Sequence, residues 1–425
     1  MTTLQSVSRA NAWSYPLGLH GGVGVELEYM IVDRETLDVR PVADRLFSAA
    51  AGRETSDVEP DGPDGVISWS NELALHVAEL KTTRPVASLD GLAEQFQSHV
   101  QRMNALLEPM GCCLLPTGMH PWMDPDTETK LWPHENNEVY ATYDRIFGCR
   151  GHGWGNLQST HINLPFANDD EFGRLHAAIR LVLPILPALA ASSPVFDGDW
   201  SSIADYRLDV YRRNSARVPM MTGLIIPEPV FTRAEYERDI LGRLYQELSP
   251  LDPEGILHHE WANARGAIPR FDRGSIEIRL LDIQECPLAD IALTALINAV
   301  IRAMCEERWI SYEQQKAVLS DPLHRVLLDT IRYAEHTRIH ERGILDAFGI
   351  SQAMTWAGEL WACLLEEVMP DHPVWTPLLR RMLSAGSLSI RIGQMVRRFP
   401  TRDELQSIYR ELADCLQRGE LFHVR

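Results

Sequence analysis

The sequence predicts an α+β protein with a largely antiparallel sheet lined with acidic residues, flanking helices and a helical C-terminal third. Several segments place charged side chains at every second position among apolar ones, which is typical of strands with one buried face. Helix patterns lie between these segments and dominate the chain after Pro287. The 425 residues, 45% of them hydrophobic, suffice for one large core. Because no repeat or flexible linker interrupts the chain, we expect a core unit over residues 1–310 and a helical extension over residues 311–425 packed on the same unit.

Two of the predicted strands carry pairs of charged side chains on one face. One strand holds Glu277 and Arg279, and another holds Glu26 and Glu28. The members of each pair are two positions apart and therefore point the same way. A solvated sheet face with surface ion pairs would show the same spacing. Acidic strands that converge on one face repel each other unless cations lie between them, so the pattern predicts a magnesium cluster.

Two further strands add to this acidic face. Residues 73–82 form a predicted strand that contains Glu79, with Glu72 just before it. Their separation is odd, so either Glu72 precedes the strand or a bulge intervenes. Another predicted strand contains His161, which is a core residue or a metal ligand. Because imidazole suits manganese better than magnesium, the metal identity stays open.

Helix starts are predicted from capping residues. Ser88 is the expected N-cap of a long helix, and residues 169–191 form another helix by their apolar spacing. Thr232 and Thr401 are each followed three positions later by a glutamate, which forms a capping box. The sequence therefore predicts helices that begin at these threonines.

Two stretches, residues 120–156 and 192–228, show little periodicity and are predicted to be irregular. The first is rich in Trp, His, Gly and Asn, and the second carries Arg207. Long irregular stretches inside a compact unit are usually functional or mobile. Both stretches are therefore candidates for contributing to a site.

The composition restricts the partners. A net charge of −19 argues against a nucleic-acid-binding surface. The seven cysteines show no zinc-binding spacing and are expected to be reduced, which favours a cytoplasmic location. No signal-peptide pattern opens the chain, and the most apolar run, residues 181–195, contains three prolines and is too short to span a membrane. A homodimer is expected only because such assemblies are common.

These segments together resemble the glutamate–cysteine ligase family, in particular the bacterial carboxylate–amine ligases within the glutamine synthetase superfamily. The segments occur in the order that the family shows and cover roughly residues 20 to 310. The resemblance implies that residues 1–310 form a ligase-like catalytic core around a glutamine synthetase-like sheet. The motifs that carry it are Gly24–Glu28, Glu72, Glu79 with Lys81–Pro85, Thr117–Pro121, Thr160–Asn163, Ser192–Phe196 and Ile276–Arg279 with Asp282.

The resemblance also implies a chemistry. ATP, held by two or three magnesium ions or by manganese, would phosphorylate a carboxylate, and an amine would then displace phosphate to form an amide. Arg279 would face the transferring phosphate together with Glu277, and Arg207 and Arg265 would bind the substrate carboxylate or phosphates. The substrates implied are small molecules, an amino acid such as glutamate and an amine such as cysteine. The implied metal ligands are Glu26, Glu28, Glu72, Glu79, His161 and Glu277.

The substrates are the part of the resemblance that transfers least. Residues 71–78 and 260–270 depart from the family pattern. The aromatic residues of 120–156 could stack on adenine, close over the acyl phosphate, or simply pack. Two alternatives remain: a kinase of a small carboxylate or guanidino compound, which would need one acceptor and no amine, and a non-catalytic nucleotide sensor.

Overall fold

A computed structural model describes residues 15–60, 62 and 65–424, and its centre is an antiparallel sheet to which eight strands of these residues contribute. Two short hairpins lie outside this sheet. The strands are β1 (Gly24–Asp33), β2 (Asp57–Val58), β3 (Ile67–Asn71), β4 (Val77–Thr82), β5 (Cys112–Leu115), β6 (Ser159–Pro165), β7 (Val195–Phe196), β8 (Asp199–Trp200), β9 (Ala267–Arg270), β10 (Ser275–Asp282), β11 (Arg338–Ile339) and β12 (Thr355–Trp356).

The strand order explains how distant parts of the sequence meet. The order is β2-β3-β4-β1-β6-β10-β9, and β5 pairs with the C-terminal half of β1. All of these pairings are antiparallel. Strand β1 therefore lies between β4 and β6, with β10 beyond β6. The strands that were predicted to carry the acidic residues thus lie in one sheet, whereas their order was not predicted.

Helices surround the sheet and make up most of the chain after residue 287. Short 3-10 segments cover Glu108–Met110, Leu183–Ile185, Pro219–Met221, Glu260–Ala262 and Ala334–His336, and a π-helical segment covers Glu237–Leu241. The α-helices are α1 (Ala43–Ala51), α2 (Leu92–Leu107), α3 (Pro125–Glu128), α4 (Asn137–Phe147), α5 (His152–Gly155), α6 (Asp169–Val182), α7 (Pro187–Ala190), α8 (Tyr206–Asn214), α9 (Arg233–Tyr236), α10 (Gly242–Leu248), α11 (Pro287–Cys305), α12 (Tyr312–Ala317), α13 (Ser320–Tyr333), α14 (Arg342–Ala347), α15 (Ala357–Val368), α16 (Trp375–Ala385), α17 (Leu388–Met395) and α18 (Arg402–Arg418).

One face of the sheet is buried against helices. Leu27 and Tyr29 of β1 are fully buried and join a hydrophobic cluster with Phe96 of α2, Ile179 of α6 and Leu296 of α11. Helix α11 is long and apolar enough to cross a membrane, but 72% of its most apolar window is buried inside the protein. Such burial is typical of a core helix. The apolar residues of β1 thus hold the sheet in place, and its charged residues face the other way.

The C-terminal third is helical and shares this core. Trp361 of α15 and Leu379 of α16 belong to the same hydrophobic cluster as the sheet. Arg391 of α17 is buried and donates to Glu285 at 2.6 Å and to the carbonyl of Phe422 at 2.7 Å. The division into residues 1–310 and 311–425 stays a prediction, since the hydrophobic cluster continues across residue 310.

Several predicted element boundaries were wrong. Strand β4 begins at Val77 rather than at residue 73, and Ser88 does not cap α2, whose N-cap is Gly91 in a left-handed conformation with φ of 76°. The stretch predicted to be irregular over 120–156 contains α3, α4 and α5, and the one over 192–228 contains α8. The capping boxes at Thr232 and Thr401 are confirmed.

Candidate active site

Four adjacent strands, β4, β1, β6 and β10, bring the predicted acidic residues together on one face. Glu28 lies directly opposite Glu79, because β1 and β4 pair in that register. Glu26 lies opposite Lys81 on one side and His161 on the other. Side chains opposite each other in a sheet are about 5 Å apart at Cβ, so the alternation seen in the sequence produces a compact cluster.

His161 is the centre of this cluster. Its Nδ1 is 3.1 Å from Glu26 Oε2 and 3.8 Å from Glu277 Oε1. Its Nε2 is 3.8 Å from Glu28 Oε1 and 2.9 Å from the hydroxyl of Ser159. The imidazole therefore joins carboxylates from two strands, β1 and β10, to β6.

Glu72 joins the cluster although it does not lie in a strand. It follows β3 in the connection that leads to β4. Of the two explanations for its odd separation from Glu79, the structure therefore supports the one in which Glu72 precedes the strand. Two overlapping groups have ligand atoms that all lie within 4.8 Å of one another: Glu26, Glu79 and His161, and Glu28, Glu72 and Glu79. Carboxylate oxygens at this spacing fit a hard divalent cation.

The close spacing of these carboxylates shifts their pKa values. Burial, together with the charges of Glu28 and Glu79, raises the pKa of Glu72 well above its usual range. Burial and the charge of Glu26 raise the pKa of Glu79 to about 7. Burial opposes the ionisation of Glu26, but its hydrogen bond with His161 and the histidine's charge lower the pKa of Glu26 to about 2. A divalent cation among these oxygens would relieve the repulsion, so the donor set fits a metal.

His161 is affected in the opposite direction. Burial alone would lower its pKa, but the hydrogen bond to Glu26 and the charges of Glu28 and Glu277 raise it to about 9. The protonated imidazole neutralises part of the acidic charge. To serve as a metal ligand it would release this proton, so cation and proton compete for the same position.

Glu277 differs from the other carboxylates because it is paired with two arginines. Arg279 donates to it through Nη2, and Arg270 Nη1 lies 3.4 Å from its Oε2. Burial lowers the pKa of the Arg279 guanidinium, but the charge of Glu277 outweighs this and raises it above its usual range. Two guanidinium groups are thus held against one buried carboxylate, which places positive charge beside the acidic cluster.

Arg207 lines the same cavity, and a buried carboxylate outside the cavity lining holds its side chain. Its Nε donates to Asp282 Oδ1 at 2.5 Å, and both side chains are almost fully buried. Asp282 also accepts from the backbone N–H of Ser192 at 2.8 Å and from the hydroxyl of Ser193 at 2.7 Å. A Cβ at Gly118 would collide with this carboxylate, so only glycine fits there. Asp282 thus fixes the direction of the Arg207 side chain.

Arg265, which the family resemblance assigned to substrate binding, is placed elsewhere. It is fully buried and lies outside the residues that line this cavity. Its Nε and Nη2 donate to the two oxygens of Glu228, each at 2.6 Å, and Nη1 donates to Asn263 and Met220 at 3.0 Å. Its donors are occupied by these partners, so the structure does not bring Arg265 into the cavity with Arg207 and Arg279.

The acidic face opens into a cavity of about 610 Å³. Its lining includes the six predicted metal ligands, Arg207 and Arg279. Residues that the sequence interpretation did not assign to the site also line it. They are Asp57, Ser70, Lys81, Tyr211, Trp261, Arg270 and Arg273.

A smaller cavity of about 240 Å³ adjoins the first. Glu26 and Arg273 line both cavities. The rest of its lining is less charged and includes Leu17, Pro85 and Asn163. Glu26 therefore lies between a large polar space and a small, more apolar one.

Of the unassigned residues, Lys81 and Arg270 had a signal in the sequence. Lys81 follows Glu79 by two positions and so shares its face, and its Nζ lies 3.1 Å from Glu79 Oε1. Arg270 ends a short apolar segment just before the strand of Glu277. Arg273 and Trp261 lie outside the strands and had no periodic signal.

The sequence matches the family model of glutamate-cysteine ligase family 2 over residues 22–372. An uncharacterised protein of Archaeoglobus fulgidus is 32% identical over 400 residues, which is 94% of this chain and 100% of that protein. A protein of Jannaschia sp. named "Putative glutamate–cysteine ligase 2" is 24% identical over 304 residues, covering 69% of this chain and 71% of that protein.

One solved structure supports the fold. Glutamate–cysteine ligase of Francisella tularensis in complex with AMP superposes with a TM-score of 0.55 at 13% identity, covering 93% of this chain and 88% of that one. At this identity the similarity concerns the fold. It confirms the predicted glutamine synthetase-like antiparallel sheet with helices towards the C-terminus.

Proposed function

Because this chain belongs to glutamate-cysteine ligase family 2, a family of carbon–nitrogen ligases, we propose that it joins a small carboxylate to an amine with ATP and magnesium ions. The observation that carries this proposal is the convergence of six carboxylates and one imidazole beside four arginines in one cavity. Transfer of a phosphoryl group needs its charge neutralised and its atoms aligned, and these residue types supply both. The amide product follows from the family.

The metal-binding part of the proposal rests on the two carboxylate groups. Glu26, Glu79 and His161 would hold one ion, and Glu28, Glu72 and Glu79 a second, since each group's ligand atoms lie within 4.8 Å of one another. The bound ions would neutralise the β- and γ-phosphates of ATP.

The arginines act on the transferring phosphate and on the acid. Arg279, held by Glu277, would contact the phosphate as it moves from ATP to a carboxylate oxygen of the acid, with ADP as the leaving group. Arg207, oriented by Asp282, would hold the acid. The amine nitrogen then attacks the acyl carbon and loses a proton, the C–N bond forms, and phosphate leaves. Manganese in place of magnesium would act in the same way and suits His161 better.

We further propose that the nucleotide base occupies the smaller cavity. In-line transfer places the leaving ADP and the attacking acid on opposite sides of the phosphorus. The two cavities meet at Glu26, so the phosphate would lie between them. The large cavity is then left for the acid and the amine.

The test is magnesium-dependent release of phosphate from ATP by the purified full chain. Three conditions are compared: no substrate, glutamate alone, and glutamate with a panel of amines that includes cysteine. We expect release only with an acid and an amine together, and an amide of the corresponding mass. A phosphorylated acid formed without an amine would favour the kinase instead, and ATP binding without turnover across the panel would favour the sensor.

The role of Glu277 is tested by Glu277→Gln. We expect loss of at least about 100-fold in turnover, because the amide no longer anchors Arg279 electrostatically, while circular dichroism shows a folded protein. Glu313→Gln changes the same chemical group at an exposed position and should retain full turnover. Near-normal turnover of a folded Glu277→Gln variant would contradict the role of Glu277 in holding Arg279 at the phosphate.

A further inference from the structure

Five aromatic side chains line the larger cavity in addition to its charged residues. They come from α4, α5, α8 and the 3-10 segment Glu260–Ala262 rather than from the sheet. We call this set the aromatic wall, and it consists of Tyr140, Tyr143, Trp154, Tyr211 and Trp261.

Three of the five wall residues pack together around Tyr143. The ring centroid of Tyr143 lies 5.2 Å from that of Trp154 and 6.1 Å from that of Trp261, with interplanar angles of 50° and 49°. The buried side chains of Met221 and Leu257 belong to the same hydrophobic cluster and support it. Rings at these distances and angles stabilise each other, so these three side chains form a packed part of the wall.

The polar ends of three wall residues are bound to the protein. Trp154 Nε1 donates to the carbonyl of Asn214 at 3.2 Å, and the Tyr211 hydroxyl donates to the carbonyl of Ala264 at 3.0 Å. The Tyr140 hydroxyl accepts from Asn71 at 2.9 Å. Because these groups already have partners, the area that the wall offers to a ligand is mainly apolar ring surface.

Four of the five rings are only partly buried, and Tyr143 alone is buried. Partly exposed rings grouped in a concave site are typical of surfaces that a ligand covers. A hydrophilic acid such as glutamate would gain little from this area. Its carboxylates instead fit the arginines of the same cavity.

The nucleotide base is the other candidate for the wall. We have proposed that the base occupies the smaller cavity, on the other side of Glu26. That cavity is lined by the apolar Leu17 and Pro85. The wall also connects to the acidic cluster, because Asn71 donates both to Tyr140 and to the backbone carbonyl of Glu72 at 3.2 Å. An amine is attracted to such carboxylates in its ammonium form and releases that proton before its nitrogen attacks the acyl carbon. An amine with an apolar substituent therefore matches both the wall and its edge.

We infer that the acceptor amine carries an aromatic or similarly large apolar group, which packs against the aromatic wall while its nitrogen lies at the acidic cluster. The inference rests on the proposed ligase function and specifies the class of its acceptor. Small or purely polar amines, cysteine included, would leave most of the wall uncovered and react less efficiently.

The first test compares 2-phenylethylamine with ethylamine, which differ by the ring, and adds cysteine. Binding is measured by calorimetry on the full chain with magnesium, glutamate and a non-hydrolysable ATP analogue, and turnover by phosphate release with ATP. We expect at least about tenfold tighter binding and higher kcat/KM for 2-phenylethylamine, as burial of a phenyl ring predicts. Equal values for the pair, or a preference for cysteine, would overturn the inference.

Binding does not depend on turnover, so the two proposals can fail separately. Preferential binding of 2-phenylethylamine without phosphate release from any acid would overturn the ligase proposal and retain the apolar amine site. Phosphate release that is faster with small amines would retain the ligase proposal and overturn the apolar amine site.

The second test uses Trp154→Ala and Trp261→Ala, with the more conservative Trp261→Leu in case the alanine variants do not fold. We expect Kd and KM for 2-phenylethylamine to rise about tenfold, while the values for ethylamine and the KM for ATP stay within twofold. Trp356→Ala in β12 is the matched control outside the cavity and should change none of these values. A rise in the KM for ATP without a change in amine selectivity would assign the wall to the nucleotide and overturn the inference.

Discussion

Arg207 is a guanidinium whose direction is set by residues that never reach the cavity. Asp282 holds its Nε, and Ser192 and Ser193 hold Asp282 in turn. Gly118 packs against the same carboxylate, where any larger residue would collide with it. The position of one charge in the site therefore depends on space at a glycine in another segment.

This dependence predicts the effect of Gly118→Ala. The added methyl group must push Asp282 away, and overpacking in a filled interior costs about 1–3 kcal/mol in the free energy of unfolding. We expect a lower melting temperature and a reduced kcat/KM for the acid. Gly151→Ala is the control, because a Cβ there meets no atom within 4 Å. Equal stability and activity of the two variants would show that Asp282 does not position Arg207.

Periodicity could predict some site residues and not others. Glu26, Glu28 and Glu79 were predicted to share a face because they occupy alternate positions of strands, and the register confirms that they lie on one face. Glu72 lies in a turn, so its position could not follow from strand period. Arg265 carries the same charge as the cavity arginines, and only the structure shows that it lies outside the cavity lining.

At the scale of elements, the site is a product of strand order. Strand β1 lies between β4 and β6, and β10 follows β6. This order places Glu28 opposite Glu79 and Glu26 opposite His161. Two carboxylates directly opposite each other destabilise a sheet, so the folded protein accepts a local cost at the place where a cation would bind.

This cost predicts that Glu79→Gln affects stability differently in the absence and in the presence of a divalent cation. In EDTA, we expect the variant to be at least as stable as the wild type, because one of two facing carboxylates loses its charge. With increasing Mg²⁺ or Mn²⁺, the melting temperature of the wild type should rise, whereas that of the variant should rise much less. Glu54→Gln, at an exposed position, is the control and should behave like the wild type. An equal rise in Glu79→Gln would contradict its role as a ligand.

Elements outside the sheet were harder to predict. Helices α4, α5 and α8 carry four of the five residues of the aromatic wall and Arg207, yet their stretches were expected to be irregular. Helix α5 has four residues, two of them glycine, and α4 begins after Asn136 in a left-handed conformation without a side-chain cap. Short helices with weak start signals are stabilised by tertiary contacts, which a sequence pattern does not show.

At the scale of the whole molecule, the interior contains histidines that stay neutral. His176 is fully buried and stacks on Phe172 at 5.3 Å, and burial and the charges of Arg180 and Arg265 lower its pKa to about 3. Burial likewise lowers the pKa of His76 to about 4. The unfolded chain takes up protons at these positions below pH of about 6.5, whereas the folded chain does not.

Stability should therefore be complete above a pH of about 6.5 and fall as the pH decreases towards the pKa of the folded state. Each such histidine contributes about 1.4 kcal/mol for each pH unit below that value. We expect His176→Phe to make the decline of the melting temperature between pH 6.5 and 5 less steep, measured in EDTA. His340→Gln, at an exposed site, is the control. An unchanged slope in His176→Phe would contradict a buried neutral state.

The order of strands in the sheet also bears on when the protein can become active during its synthesis. Strand β1 ends at Asp33 and leaves the ribosome before the strand that completes the acidic face, which ends at Asp282. Until β6 has emerged, Gly24–Leu27 of β1 have no partner on the edge that β6 will occupy, and Glu26 faces no histidine. The cation site therefore cannot nucleate folding. It is finished late, so a growing chain presents a partly unpaired central strand to the chaperones of the cell before the acidic face is complete.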